Sequence, residues 1–119
     1  MNFKSILVVA GEPHSVFLEI FFKSIKKNNF KKPIILIASK NLLIEQMKKL
    51  NFNLRIKIIK KEDIQIKKLN NNCINLINVN YKFTHAFQKI SPKSNHYISR
   101  CFKIALELTS KNADFSLIN

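Results

Sequence analysis

Short apolar runs alternate along the chain with longer stretches in which apolar residues recur every three or four positions. Residues 6–10 and 34–38 have no polar interruption, which is typical of strands buried on both faces. The wider spacing is typical of amphipathic helices. The pattern predicts strands at residues 5–10, 33–38, 54–59, 73–79 and 115–118, and helices at residues 15–28, 39–50 and 94–110.

Polar residues mark the ends and the outer faces of these predicted elements. Ser15 precedes the first helix and Ser39 or Asn41 opens the second, and such side chains cap helix N-termini. Residues 54–59 alternate apolar with basic side chains, so we expect a half-exposed edge strand. Residues 60–72 are polar and end in an asparagine turn, and residues 80–93 are expected to form a loop. One side of the first helix is predicted to consist of Val16, Phe17, Ile20, Phe21 and Ile25.

The order of the elements indicates a single α/β domain over residues 1–119 with a mainly parallel sheet and flanking helices. Strand and helix alternate from the first run to the last, and 119 residues suffice for one hydrophobic core. A core strand of such a sheet is ordinarily followed by a covering helix. Because the last run ends next to Asn119, we expect the domain to be truncated after a core strand and incomplete at its C-terminus.

The charge of the chain is strongly positive, with 21 basic residues against 7 acidic ones and a formal net charge of +14. Nineteen of the 21 are lysine, whereas arginine is the better bidentate partner of phosphate and guanine. Lysine, isoleucine and asparagine together supply 52 residues, and all three have A/T-rich codons. We therefore attribute the charge mainly to an A/T-rich genome. A small basic α/β module that binds nucleic acid or another polyanion is the alternative.

Several site classes find little support in the residue pattern. No apolar run approaches the length of a membrane-spanning helix, which is about 20 residues, and the sequence shows no cleavable signal peptide. Cys73 and Cys101 have no metal-type spacing, which indicates reduced thiols and a cytoplasmic location. His14, His85 and His96 match no compact metal motif, and Cys101 falls on the apolar side of the last helix. No catalytic residue and no metal ligand is predicted within these residues.

The turn between the first strand and the first helix is the sharpest local motif, with the sequence Gly11-Glu12-Pro13-His14-Ser15. A helix N-terminus at the carboxyl end of a parallel strand offers N–H groups and a positive dipole end to an anion. Gly11 and Glu12 are therefore the candidate cofactor-binding residues. The dinucleotide fingerprint needs two further glycines, which the chain lacks. The nucleotide-binding half of another α/β transferase, with a phosphate at this turn, is a further hypothesis.

Two segments resemble the 4-hydroxythreonine-4-phosphate dehydrogenase family of pyridoxal phosphate biosynthesis. The first is the strand and Gly-Glu-Pro turn at residues 6–13. The second begins at residues 90–97, continues through a long amphipathic helix and ends at residues 111–119. The order of the elements between them also agrees. The family commonly continues the turn with a glycine-rich stretch, whereas this chain has His14-Ser15-Val16-Phe17.

The resemblance implies a partial isocitrate/isopropylmalate dehydrogenase-like fold and an oxidoreductase. Such an enzyme oxidises a phosphorylated hydroxy amino acid with NAD and then decarboxylates it. NAD and a divalent metal are the implied cofactors, with the metal held by residues beyond these 119. The implied partners are a phosphorylated small-molecule substrate and, at full length, a second subunit of a homodimer. The chain alone is expected to be inactive, and neither a membrane nor nucleic acid is an expected partner.

Overall fold

Five parallel strands form one sheet in the order β3-β4-β2-β1-β5, with helices on both faces. This computed structural model describes residues 4–118. The elements in chain order are β1 (Ser5–Val9), α1 (Phe17–Lys27), β2 (Ile34–Ala38), α2 (Lys40–Leu50), β3 (Ile56–Ile58), β4 (Ile74–Asn78), α3 (Asn95–Lys111) and β5 (Phe115–Ile118). Two short 3-10 helices lie at Ile66–Lys68 and Pro92–Ser94. The predicted α/β class and parallel sheet are confirmed.

The central strands are continuously apolar because both faces of the sheet are covered. On one face, Val8 and Leu36 pack with residues of α1 and α2 such as Phe22. On the other, Ile35 and Ile37 pack with residues of α3. An uninterrupted apolar run is the sequence signature of such a doubly covered strand. The two outer strands are less buried, and β3 is half exposed, as its alternating pattern predicts.

The path of the chain opens a crevice between the carboxyl ends of β2 and β4. From β1 the chain moves to β2 and then to the edge strand β3, with α1 and α2 on one face. It returns from β4 past β2 and β1 to β5, and α3 therefore lies on the opposite face. The neighbours β2 and β4 thus send their connections to opposite sides of the sheet. Ligands of open α/β sheets bind at such a switch point.

The first helix differs from its predicted form at its start and on one side. It begins at Phe17, and Ser15 does not cap it; the Ser15 hydroxyl instead donates to the Glu12 carbonyl at 2.9 Å and accepts from the Phe17 N–H at 3.2 Å. Val16 and Ile20 are 65% and 57% exposed. Phe21 and Ile25 of the same predicted side are buried, whereas no residue of 4–118 covers Val16 or Ile20. Both apolar residues therefore remain at the surface.

The remaining helix signals agree with the structure. Ser39 caps α2 by accepting from the Leu42 N–H at 3.3 Å. The Glu19 carboxylate and the Lys23 ammonium are 3.0 Å apart on the surface of α1. No helix within residues 4–118 is both long and apolar enough to cross a membrane. Asn119, after which we expect the domain to be incomplete, lies outside the described residues.

Candidate functional site

The turn after β1 adopts a backbone conformation that requires its glycine. Gly11 has a φ of 72°, in the left-handed region that is unfavourable for residues with a Cβ. The Glu12 carboxylate accepts from the Ser94 hydroxyl at 3.2 Å through Oε2 and at 3.4 Å through Oε1. The His14 backbone N–H lies 3.4 Å from the same Oε1. Glu12 thus ties the turn to the beginning of α3, and cofactor contact by Gly11 and Glu12 stays a prediction.

His14 is a structural residue that joins the turn to the long loop of residues 79–91. Its side chain is buried, with Nδ1 3.0 Å from the Ala86 carbonyl oxygen and Nε2 2.8 Å from the Tyr81 hydroxyl. A carbonyl oxygen can only accept, so Nδ1 carries the proton. In the neutral ring Nε2 is then an acceptor, and the Tyr81 hydroxyl donates to it. His14 therefore fixes the orientation of Tyr81.

Gln46 holds both loops against α2. The residue is fully buried, and its Nε2 donates to the Pro13 carbonyl at 2.8 Å and to the Ala86 carbonyl at 3.0 Å. Its Oε1 is buried and has no hydrogen-bond partner among residues 4–118. The two donated bonds fix which end of the amide faces the loops. The carboxyl edge of the sheet is thereby held by buried side chains.

Two stacked tyrosines form the floor of the crevice between β2 and β4. The rings of Tyr81 and Tyr97 have centroids 4.6 Å apart and planes inclined by 27°. The Tyr97 hydroxyl accepts from the Ser39 N–H at 2.9 Å. Burial raises the pKa of Tyr97 above its usual range, and the nearby Cys101 acts in the same direction. Burial, and then the Glu12 carboxylate, raise the pKa of Tyr81, so both phenols stay neutral at physiological pH.

Above this floor lies a cleft of about 500 Å³ whose charged side chains are all basic. Its lining residues are Asn41, Asn80, Tyr81, Lys82, Lys93, His96, Tyr97 and Arg100. The Arg100 guanidinium donates from Nη1 to the Asn80 carbonyl at 3.2 Å. Neither Lys82 nor Lys93 forms an ion pair with any acidic side chain of residues 4–118. We call this set of residues the cationic cleft.

The sequence signals indicated the turn after β1 and not the cationic cleft, since neither Gly11 nor Glu12 lines the cleft. The loop after β4 shows no periodicity, so nothing in the pattern brings Lys82 towards Arg100 on α3. The sequence favours a structural or surface role for His96 over metal binding and gives no signal that it lines an anion site. The available signal was topological, because Asn80 follows β4 and Asn41 follows β2, and these two strands are neighbours in the sheet.

Metal coordination has no basis within the described part of the chain. No three His, Cys, Asp or Glu side chains of residues 4–118 lie close enough together to hold a metal ion. His85 and His96 are exposed at the surface, and Cys101 lies on the buried face of α3. The described residues therefore do not form a site for the divalent metal that the resemblance implies.

Comparison with known proteins shows a likeness in fold. No family model and no curated protein matches the sequence. The fold defines an α/β protein similar in architecture to part of a dehydrogenase. One solved structure that it resembles is a 4-hydroxythreonine-4-phosphate dehydrogenase from Burkholderia phymatum, with a TM-score of 0.68 and 14% sequence identity. The match covers 93% of this chain and 34% of that one, so the chain spans about a third of the enzyme's length.

Proposed function

We propose that this chain is the N-terminal part of an oxidoreductase similar to 4-hydroxythreonine-4-phosphate dehydrogenase. Its reaction would be the NAD-dependent oxidation of a phosphorylated hydroxy amino acid, followed by decarboxylation, in pyridoxal phosphate biosynthesis. The observation that carries the proposal is the likeness in fold over 93% of the chain. The Gly-Glu-Pro turn and the segment that leads into α3 support it from the sequence.

The parts of the chain would contribute binding and orientation rather than the chemical step. Gly11 and Glu12 lie where β1 meets α1, at the carboxyl edge where cofactors of open α/β sheets bind. The cationic cleft would hold a negatively charged group of a ligand. NAD would accept the hydride, and a divalent metal held by other residues would polarise the substrate oxygens. The working enzyme would be a cytoplasmic homodimer, and the 119-residue chain alone would have no activity.

An enzymatic assay of the natural gene product tests this proposal. The coding sequence is read beyond the codon for Asn119, and the encoded protein is incubated with NAD, a divalent metal and phosphorylated hydroxythreonine. We expect NADH to form only when the phosphorylated substrate is present. The 119-residue chain, assayed in parallel, should form none. A gene product that binds the metal and NAD yet forms no NADH with this substrate contradicts the proposal.

The net charge of +14 favours one alternative, a basic module that binds nucleic acid or another polyanion. Several lysines, however, lie where they stabilise the ends of helices. Lys26 and Lys27 end α1, and Lys48 and Lys49 end α2, where cations interact favourably with the helix dipole. Tight binding of single-stranded or duplex nucleic acid that survives physiological salt would favour the alternative over the enzyme.

A further inference from the structure

We propose that the cationic cleft is a binding site for a phosphate group, with Arg100, Lys93, Lys82 and His96 as its binding residues. This inference rests on the proposed function and assigns the anion to a place in the chain. The phosphate could belong to a phosphomonoester substrate or to the diphosphate of a dinucleotide. Both present the same charged oxygens to the cleft.

The charge of the cleft is the first argument. Lys82, Lys93 and Arg100 converge on one cavity, and no acidic side chain lines it. Like charges brought together without counter-ions repel one another, and an anion between them removes that repulsion. A phosphate carries up to two negative charges and several acceptor oxygens, so it can satisfy several cations at once.

The fixed geometry of Arg100 is the second argument. One nitrogen of the guanidinium is anchored to the Asn80 carbonyl, which follows β4. The other N–H groups remain available, and their planar fork matches the oxygens of a phosphate. The aromatic floor beneath is fixed in turn, because His14 orients Tyr81 and Ser39 donates to Tyr97. A phosphate would therefore meet one guanidinium that is already oriented, and the exposed side chains of Lys82 and Lys93 could move to complete its binding.

The fold itself is the third argument. Asn41 stands in the first turn of α2, and His96 stands in the first turn of α3, so both helices begin at the cleft. The positive ends of two helix dipoles add to the charge of the side chains. The cleft lies at the switch point between β2 and β4, and its volume of about 500 Å³ suits a small metabolite.

The same reasoning disfavours the turn of residues 11–15 as the phosphate site. The Glu12 carboxylate stands in that turn and would repel a phosphate held close to it. Its hydrogen bonds to Ser94 keep it there. The cationic cleft has no such acidic group along its lining. We therefore assign the phosphate site to the crevice beside β4 and not to the turn after β1.

Calorimetric titration of the protein as its gene encodes it tests the assignment. Inorganic phosphate, O-phosphothreonine and NAD are titrated separately into the wild type and into Lys93→Gln and Arg100→Gln. The matched control is Lys103→Gln, which removes an exposed charge from the same helix outside the cleft. Circular dichroism and urea unfolding establish that each variant is folded. Should Arg100→Gln fail to fold, Lys93→Gln alone decides the question.

We expect the wild type to bind a phosphate-bearing ligand and each cleft variant to bind it at least about tenfold more weakly, as loss of a charge-assisted hydrogen bond requires. Lys103→Gln should change the affinity less than twofold. Weakening for O-phosphothreonine alone assigns the site to a phosphomonoester, and weakening for NAD alone assigns it to the dinucleotide. Equal weakening by Lys103→Gln, or no binding by the wild type, overturns the proposal. Cleft-dependent binding without dehydrogenase activity would support this site and contradict the proposed enzyme.

Discussion

At the scale of single residues, a few buried polar side chains hold the loops at the carboxyl edge. His14 joins Tyr81 to the Ala86 carbonyl, and Gln46 joins that carbonyl to the turn after β1. Each of these bonds connects segments that are far apart in the sequence. Together with the apolar packing of Tyr81 and Phe83 against the core, these bonds fix the positions of the loops.

Replacing His14 with alanine should destabilise the protein by about 2–3 kcal/mol. The change removes the hydrogen-bond partner of the Tyr81 hydroxyl and one of the two donors to the buried Ala86 carbonyl, which keeps only its bond from Gln46. Urea unfolding measures the loss, with His85→Ala as the matched control because His85 is exposed. Equal stability of the two variants would show that the bonds of His14 contribute nothing.

The buried thiol of Cys101 should make the protein less stable in alkaline solution. Burial raises its pKa from 9.0 to about 11, and the Tyr97 hydrogen bond and the Arg100 charge only partly oppose this. The unfolded thiol loses its proton near pH 9.0, while the folded thiol keeps it until about pH 11. The stabilisation is complete below pH 9.0 and is lost as the pH rises through that window.

Urea unfolding at several pH values measures this loss of stability. The raised pKa of Tyr97 acts in the same direction, so Cys101→Ala should flatten the decline without abolishing it. Well below pH 9.0 the Cys101 thiol is protonated in both the folded and the unfolded state, so that range is the reference for each protein. A wild type and a Cys101→Ala variant with parallel pH profiles would contradict the assignment to this thiol.

At the scale of secondary structure, asparagine takes the place that glycine usually has at helix ends. Asn28 ends α1 and Asn51 ends α2, both with left-handed backbone angles. Asparagine tolerates this conformation better than other residues with a Cβ. The chain has 15 asparagines and one glycine. The chain can therefore have few glycines and still form the left-handed turns that end its helices.

Substitutions at Asn51 should separate backbone conformation from side-chain contacts. Its φ of 60° favours glycine, so Asn51→Gly should leave the stability unchanged or raise it slightly. Asn51→Ala should lower it by about 1 kcal/mol, because the Cβ clashes in the left-handed region. Thermal unfolding of both variants measures the difference. If alanine proved as stable as glycine, the backbone angle could not be what selects asparagine there.

The strands were predictable from sequence because each apolar run records burial on both faces, as in β1 and β2. The exposure of Ile20 was not predictable. A hydrophobic pattern shows which residues favour burial, but it does not show whether another part of the protein covers them. The cationic cleft was hidden for another reason. Its residues meet only when the crossover from β4 to β5 places α3 beside the end of β2. No short segment of the sequence indicates that these residues lie close together.

At the scale of the whole molecule, an apolar groove and a high net charge have opposite effects on self-association. Ile6, Phe17, Ile20, Phe30 and Ile118 line a groove between α1 and β5, and β5 is the outer strand of the sheet on that side. Apolar surface and an open strand edge favour association between molecules. The net charge of +14 opposes association at low ionic strength, and salt screens this repulsion.

Self-association of the 119-residue chain should therefore increase with salt concentration. Ile20→Lys places a charge in the groove at a position already 57% exposed, so it should suppress association without lowering stability. Sedimentation velocity at low and high salt measures the effect. Ser24→Lys offers a comparison within the same groove that removes no apolar side chain. Association that weakens as salt is added would mean that charge attraction, rather than the groove, brings the molecules together.

The place of β1 in the sheet has a consequence for synthesis of the chain. Of the five strands, β1 is translated before the others, yet its two neighbours are β2 and β5, and β5 is the last of the five. One edge of β1 can pair early, as soon as α1 and its partner strand β2 have been translated. The other edge stays open until translation has passed α3, a delay that long-range parallel pairing imposes. A nascent chain that pauses in the loop after β4 therefore exposes one edge of β1, an inner strand of the finished sheet, to chaperones or other chains.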